Sequence, residues 1–317
     1  MIIVTGGAGF IGSNLVNFLS MNTKQKIVSV DYLNESNRNY FSFTNIIMVN
    51  PRNLESFLRK FKNEVKVIVH LGAISSTTCN DPNLILENNI RLSIKLKNWC
   101  DKNLKRFIYA SSAATYGNGN NGFLDNSNFE YLSKLFPLNL YGWSKQIIDL
   151  NFFSKKFGKK QLVGLKFFNV YGPNEFHKDE MRSIVLKIYE QVKSKKSIKL
   201  FKSHNKNYKD GEQLRDFIYV KDVVKVISWF INNPNKNGLF NVGSGLPRSF
   251  KDVTNAVFRN FNYPIKITYI KTPENIRNQY QYFTKAEMSK LRKVGFKDKF
   301  LSLEDGINDY VNNHLKF

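Results

Sequence analysis

The first half of the chain alternates short apolar runs with longer stretches whose apolar residues recur every three to four positions. Runs at 2–4, 27–30, 46–49, 65–71 and 106–110 are rich in Ile and Val, the pattern of strands buried on both faces. Stretches at 10–19, 54–61 and 86–99 carry the helical period between them. Strand, helix and strand in repetition predict an α/β fold with parallel strands joined by crossover helices. A long helical stretch at 140–157 leads to a sixth run, 162–170. Beyond it the pattern is more broken, with helices near 181–192 and 222–231 and short strands at 198–201 and 217–220. Gly238-Leu-Phe-Asn-Val-Gly243 reads as a strand returning to the sheet, and 202–213 as a surface loop. No repeat or linker interrupts the chain, so one body with two lobes is expected.

The junction of the first strand and helix reads Gly6-Gly7-Ala8-Gly9-Phe10-Ile11-Gly12. Glycines at this spacing suit a pyrophosphate, which approaches the backbone more closely than a Cβ allows and meets the N–H groups of a helix N-terminus. Gly6 makes the turn, Gly9 admits the phosphates and Gly12 lets the helix lie on the sheet. An ordinary tight turn is the alternative reading. The strand before it, the helix after it and Asp31 at the end of the second strand favour a dinucleotide, the acid taking the adenosine ribose hydroxyls.

Composition narrows the picture. The chain has 317 residues, 42% of them hydrophobic and 14% aromatic, ample material for a core. No window approaches twenty uninterrupted apolar residues and no signal peptide opens the sequence, so a cytoplasmic protein without a membrane partner is expected. Cys79 and Cys100 are read as reduced thiols without a role, and no metal-ligand set is expected. Forty-eight Lys and Arg against 25 Asp and Glu give a net charge of +23. The lysines are scattered, which predicts a basic solvated surface that attracts nucleotide anions and no specific nucleic-acid site.

The candidate chemistry lies in Tyr141-Gly-Trp-Ser-Lys145 and in Ala110-Ser-Ser112-Ala-Ala-Thr-Tyr116. Tyr141 and Lys145, four apart on a helix, share a face, and the ammonium is expected to ease ionisation of the phenol. Ser112 follows the fifth strand, at the sheet edge where loops line the cofactor cleft, and can hydrogen-bond both the tyrosine and a substrate oxygen. Together the three make a hydride-transfer site for alcohols and ketones beside a nicotinamide. A core tyrosine with a surface lysine is the plain alternative.

These residues resemble the extended short-chain dehydrogenase/reductase superfamily over nearly the whole chain. The resemblance implies a Rossmann-type doubly wound parallel sheet with a smaller C-terminal α/β lobe. The lobes would be 1–170 for NADP, with the returning strand near 238–243, and 171–317 mainly for substrate. Longer strings are similar to the ADP-L-glycero-D-manno-heptose 6-epimerase family: His70-Leu-Gly-Ala-Ile-Ser75-Ser-Thr-Thr78, Phe167 through Lys178, Gly211-Glu-Gln-Leu-Arg215-Asp-Phe-Ile-Tyr219, Asn241-Val-Gly-Ser-Gly245 and Tyr280-Gln-Tyr-Phe-Thr284. Such an enzyme, an isomerase supplying a lipopolysaccharide core precursor, would remove hydride at C6 of the sugar and return it to the other face of a ketone. Tyr141 would serve one configuration and Lys178 the other. The resemblance also implies cofactor contacts at Phe10, Ile11, Asp31, Tyr32, the 71–75 segment (Leu71, Gly72, Ala73, Ile74, Ser75), Asn88, Lys145, Val170 and Lys178. Substrate contacts would come from Ser112, Asn169, Phe201, Ser203, Arg215 and Tyr280. Arg38, a cation shortly after Asp31, favours NADP over NAD, and a homo-oligomer is expected.

Three positions depart from the family pattern. Asn50-Pro51 stands where an acid is usual near the adenine, and Glu180 and Lys187 replace a small hydroxyl and a histidine. These exchanges leave hydride chemistry in place and leave the bound sugar open. A hexose 4-epimerase would need no Lys178, a 4,6-dehydratase would want an Asp-Glu pair where Ala113-Ala114 stand, and a non-catalytic NADP sensor would have no use for Tyr141 and Lys145. Arg215 paired with Asp216, and Phe201 in the core, are the structural alternatives in the second half.

Overall fold

The apolar runs become strands, and the residues between them decide which sheet each joins. The computed structural model describes residues 1–32, 46–154, 158–194, 197–261, 266–277 and 280–316; Arg38 lies outside them. In chain order the strands are β1 (Ile2–Thr5), β2 (Ile27–Val30), β3 (Ile46–Val49), β4 (Val67–His70), β5 (Arg106–Ser112), β6 (Leu162–Phe167), β7 (Asn169–Tyr171), β8 (Ile198–Phe201), β9 (Leu214–Tyr219), β10 (Gly238–Val242), β11 (Pro247–Ser249) and β12 (Ile267–Ile270). Seven of them form one sheet in the order β10-β6-β5-β4-β1-β2-β3 with every pairing parallel, the Rossmann-type arrangement expected. The run at 238–243 does return to this sheet, beside β6.

Helices cover both faces because the strands are apolar on both. The longer helices of the described residues are α1 (Phe10–Asn22), α2 (Leu54–Lys60), α3 (residues 82–102), α4 (Leu140–Phe153), α5 (Ile184–Lys193), α6 (Val220–Asn232), α7 (Phe250–Phe258) and α8 (Leu303–Tyr310). Leu15 and Val16 of α1 and Val223, Ile227 and Phe230 of α6 pack on Ile2, Val4, Val69 and Leu165. Leu58 of α2, Leu96 of α3 and Ile148 and Phe152 of α4 pack on Ile3, Val28 and Phe107 of the other face. A separate core joins α5, α7 and α8 around β8 and β9, through Val185, Ile188, Leu200, Val253 and Ile307.

The run at 162–170 is two strands, not one. β6 lies in the large sheet, whereas β7 pairs with β9 in a sheet of order β11-β9-β7. Phe167 and Phe168 are both buried, in different cores, so two adjacent apolar residues hide the change of sheet. The helix expected from 181 begins at Ile184, because the Ser183 hydroxyl accepts from the Leu186 amide and caps it there. Cys79 and Cys100 are free thiols, and no helix among the described residues is long and apolar enough to cross a membrane.

Candidate active site

The turn between β1 and α1 is built on glycine for reasons visible atom by atom. Gly6 has φ +68°, and a Cβ there would lie 2.5 Å from the Gly72 amide nitrogen. A Cβ on Gly12 would lie 1.9 Å from the Gly6 carbonyl oxygen, so only glycine lets α1 start against the turn. Gly9 precedes α1 with no side chain capping it, which leaves the helix N-terminus to a ligand's negative charge. Asp31 folds over this turn, its Oδ2 accepting from the Ala8 amide at 2.9 Å and its Oδ1 from the Tyr32 amide at 2.8 Å. Burial nevertheless raises the Asp31 pKa above the ordinary carboxylate value.

A cavity of about 850 Å³ opens above the turn. Its walls include Gly6, Gly9, Phe10, Ile11, Gly12, Asp31, Tyr32, the 71–75 segment, Ser112, Tyr141, Lys145, Asn169, Val170 and Lys178, which brings most of the expected residues to one place. A dinucleotide fits this cradle, with open backbone at Gly9 and a carboxylate at the far rim. Asn88 does not line it; its amide donates to the Leu84 carbonyl within α3, where a widened turn spans Leu86–Arg91. The buried neighbour Asn89 instead ties Ile74 to Ser144, linking the 71–75 segment to α4.

Tyr141 and Lys145 occupy the first turns of α4, whose start is fixed by Asn139 accepting from the Gly142 amide at 2.8 Å. A Cβ on Gly142 would sit 2.7 Å from the Ala114 carbonyl oxygen, so α4 rides directly on the turn after β5. That contact brings the Tyr141 phenol to hydrogen-bond Ser112. Lys145 is 3% exposed, and its ammonium lies 5.9 Å from the centre of the Tyr141 ring. The expectation that it draws the phenol pKa down is not met: burial raises Tyr141, Ser112 pulls it back and Asp149 adds to the rise. Burial also lowers Lys145, to about 8, against the opposing pull of Asp149. Both shifts thus favour the neutral form of each partner.

Lys178 enters from a tight turn, Phe176–Met181, and its ammonium stands 5.2 Å from the Phe10 ring centre. Burial lowers its pKa, and Glu175 opposes the shift. Glu175, fully buried, accepts from the Gly172 amide, the Ser183 amide and the Ser183 hydroxyl, and so clamps both ends of the turn. The next residue, Asp179, has φ +45°, a strained value for a residue with a side chain. The two departures meet here: the Lys187 ammonium donates to the Glu180 carbonyl at 2.6 Å and stands 3.6 Å from its carboxylate.

The remaining expected residues form a second group beyond Phe217 and Phe250 of the cavity wall. The Arg215 guanidinium lies 5.5 Å from the Tyr280 ring centre and 5.8 Å from that of Phe250, and Phe201 meets Tyr280 edge to face. Ser203 anchors the neighbouring loop, its amide donating to Asp210 and its hydroxyl to the Asn205 carbonyl. Arg215 is not paired with Asp216. Asp216 accepts from the amides of Ser244, Gly245 and Ala286, whereas Arg215 donates to the Leu214 and Gln281 carbonyls. Among the described residues no carboxylate forms an ion pair with Arg215, and burial lowers its pKa to about 10. A buried cation held by carbonyls and ring faces, without a carboxylate, suits an anionic ligand. Phe201 is half-buried rather than core.

Sequence reasoning missed His177, Met181, Phe217 and Phe250 of the cavity wall and the buried pair Asp149 and Lys166 behind it. Asp149 had a signal, since it follows Lys145 by one helical turn. Lys166 had none, because a lysine in a strand reads as solvent-facing.

Residues 2–243 match the family model described as the NAD dependent epimerase/dehydratase family. The chain is 43% identical to an ADP-L-glycero-D-manno-heptose-6-epimerase of Fusobacterium nucleatum subsp. nucleatum, over 99% of this chain and 98% of the relative. Among solved structures it is similar to the ADP-L-glycero-D-manno-heptose-6-epimerase of Helicobacter pylori, with TM-score 0.82, 30% identity, and coverage of 98% and 95%. It is also similar to a UDP-N-acetylglucosamine 4-epimerase from Methanobrevibacter ruminantium M1 in complex with UDP-N-acetylmuramic acid, with TM-score 0.83, 25% identity, and coverage of 98% and 96%.

Proposed function

The chain belongs to the NAD dependent epimerase/dehydratase family and, within it, to the ADP-L-glycero-D-manno-heptose-6-epimerases, and from that premise we propose that it inverts C6 of an ADP-heptose using bound NADP and two bases. One observation carries the reading. A single cavity beside the glycine turn receives Tyr141 with Ser112 and Lys145 from one side of the fold and Lys178 from a turn after β7.

Bound nicotinamide supplies the hydride acceptor and donor. Tyr141, once its phenol has ionised, would take the C6 hydroxyl proton of one configuration while Ser112 holds the oxygen. C6 lies outside the ring, so rotation about one bond turns the other face of the ketone toward the same hydride. The oxygen then points elsewhere, and Lys178 protonates it there. A base on each side is what inversion requires and what a simple dehydrogenase lacks. Arg215 binds the diphosphate as the buried unpaired cation, Asn169 assists it from the cavity wall, and Phe201, Ser203 and Tyr280 border the nucleoside. The choice of NADP over NAD rests on the sequence alone, where the cation Arg38 follows Asp31 closely.

Incubation with ADP-D-glycero-D-manno-heptose, without added cofactor, tests the reading by NMR of the C6 configuration. Conversion toward the L-glycero epimer is expected, and Lys178→Met slows it by about 100-fold. No conversion, with bound NADP present, would leave a cofactor-binding sensor. Glu180 and Lys187 keep one second reading in view, a different nucleotide sugar inverted at C4, for which Lys178→Met leaves turnover unchanged.

A further inference from the structure

Behind Tyr141 and Lys145 lies a closed set of charges that the proposed chemistry does not use. Asp149, one helical turn beyond Lys145 on α4, is fully buried. Its Oδ1 accepts from the Tyr109 hydroxyl at 2.7 Å, and its Oδ2 from the Ser111 hydroxyl and the Lys166 ammonium, each at 2.7 Å. Lys166, on β6 and fully buried, also donates to the Thr115 hydroxyl at 2.6 Å, with its ammonium 4.8 Å from the Tyr116 ring centre. α4, β5, β6 and the turn after β5 are thus joined through one carboxylate.

The charge count matters more than the joints. Lys145 and Lys166 are two cations around one anion, and the close contacts of Asp149 all go to Lys166, Tyr109 and Ser111. Around them, His70 on β4 is kept neutral by burial, with its pKa lowered to about 3, and Asp125 faces Lys166 from farther off. Tyr116 donates its proton to the Leu124 carbonyl and to Asn241.

We infer that Lys166 is a positioning residue for the catalytic pair: by occupying Asp149 it leaves the charge of Lys145 free to act on the Tyr141 phenol. Without Lys166, Asp149 would be an unpaired anion one turn below the pair, would compensate Lys145 and would repel a phenolate. The direction agrees with the pull of Asp149 on both partners, which is upward for each. The inference rests on the proposed function only in taking Tyr141 as the reacting group.

The test titrates the whole protein labelled with [13Cζ]tyrosine and [13Cε]lysine, following by NMR the two ionisations of the coupled pair, assigned through Tyr141→Phe and Lys145→Met. In Lys166→Met both midpoints rise, by roughly one pH unit, and in Lys166→Arg they stay in place. Asp149→Asn keeps Lys166 and gives the opposite sign, both midpoints falling, so the inference remains testable if Lys166→Met does not fold. Removing both charges, in Asp149→Asn with Lys166→Met, returns the midpoints toward the native values. Midpoints unmoved in Lys166→Met or in Asp149→Asn would overturn the inference and reduce the network to a strut. The titration needs neither sugar nor cofactor, so a failure to epimerise would sink the proposed function and leave this result standing.

Discussion

Lys145 carries two demands that conflict. Burial holds its pKa near 8, so the ammonium that steadies Tyr141 is lost as pH rises past that value. Turnover is expected to fall above about pH 8, measured as a basic limb in the pH profile of kcat. The folded state favours neutral Lys145, because its pKa lies below the ordinary 10.5; this stability is complete above 10.5 and lost as pH falls through about 8. Lys145→Met should therefore abolish turnover yet raise Tm at pH 7, by roughly 1–2 °C for each kcal/mol relieved. Arg215 makes a different case. A lysine there keeps the charge but cannot both hold two carbonyls and face a diphosphate, so Arg215→Lys should raise KM for the ADP-sugar about tenfold or more and change kcat little, in steady-state assays. The meeting of Tyr141, Lys145 and Ser112 in one cavity was legible in the sequence, because spacing puts two of them on one helix face and the third follows a strand. The failure concerned sign: spacing puts an ammonium beside the phenol, whereas burial and Asp149 govern its pKa and neither shows in a local string.

Elements decide which of these groups meet. α1 can start where it does only because Gly12 lets it lie against the Gly6 carbonyl. Gly12→Ala meets backbone, not a yielding side chain, and overpacking of that kind costs about 1–3 kcal/mol. The predicted outcome is loss of bound nucleotide on purification, read from absorbance of the released cofactor, together with a lower Tm. The three glycines, the strand before them and the helix after them were plain in the sequence since each role needs a particular backbone. The split of 162–170 into β6 and β7 was not, because an apolar run describes a strand without naming its sheet. The start of α7 was overlooked, although Ser249 and Asp252 cap it reciprocally and sit three apart in the sequence.

At the scale of the molecule, the parallel sheet brings the carboxyl ends of β1, β4, β5 and β6 to one edge, and the second core around β8 and β9 stands beyond it. The strand alternation foretold this edge; β8 and the second half of β9 were also read as short strands, but strands that short do not name their partners. A net charge of +23 surrounds an enzyme for which every proposed ligand is an anion. KM for the ADP-sugar should therefore rise when salt goes from about 0.01 M to 0.15 M, as the Debye length shrinks from about 30 to 8 Å, with kcat little altered. The central claim is that hydride leaves C6 and comes back without meeting water. ADP-heptose deuterated at C6, incubated in ordinary water and followed by NMR and mass spectrometry, tests it most directly. The inverted epimer is predicted to keep its deuterium; inversion with loss of the label to solvent would mean proton abstraction at carbon and would contradict the account.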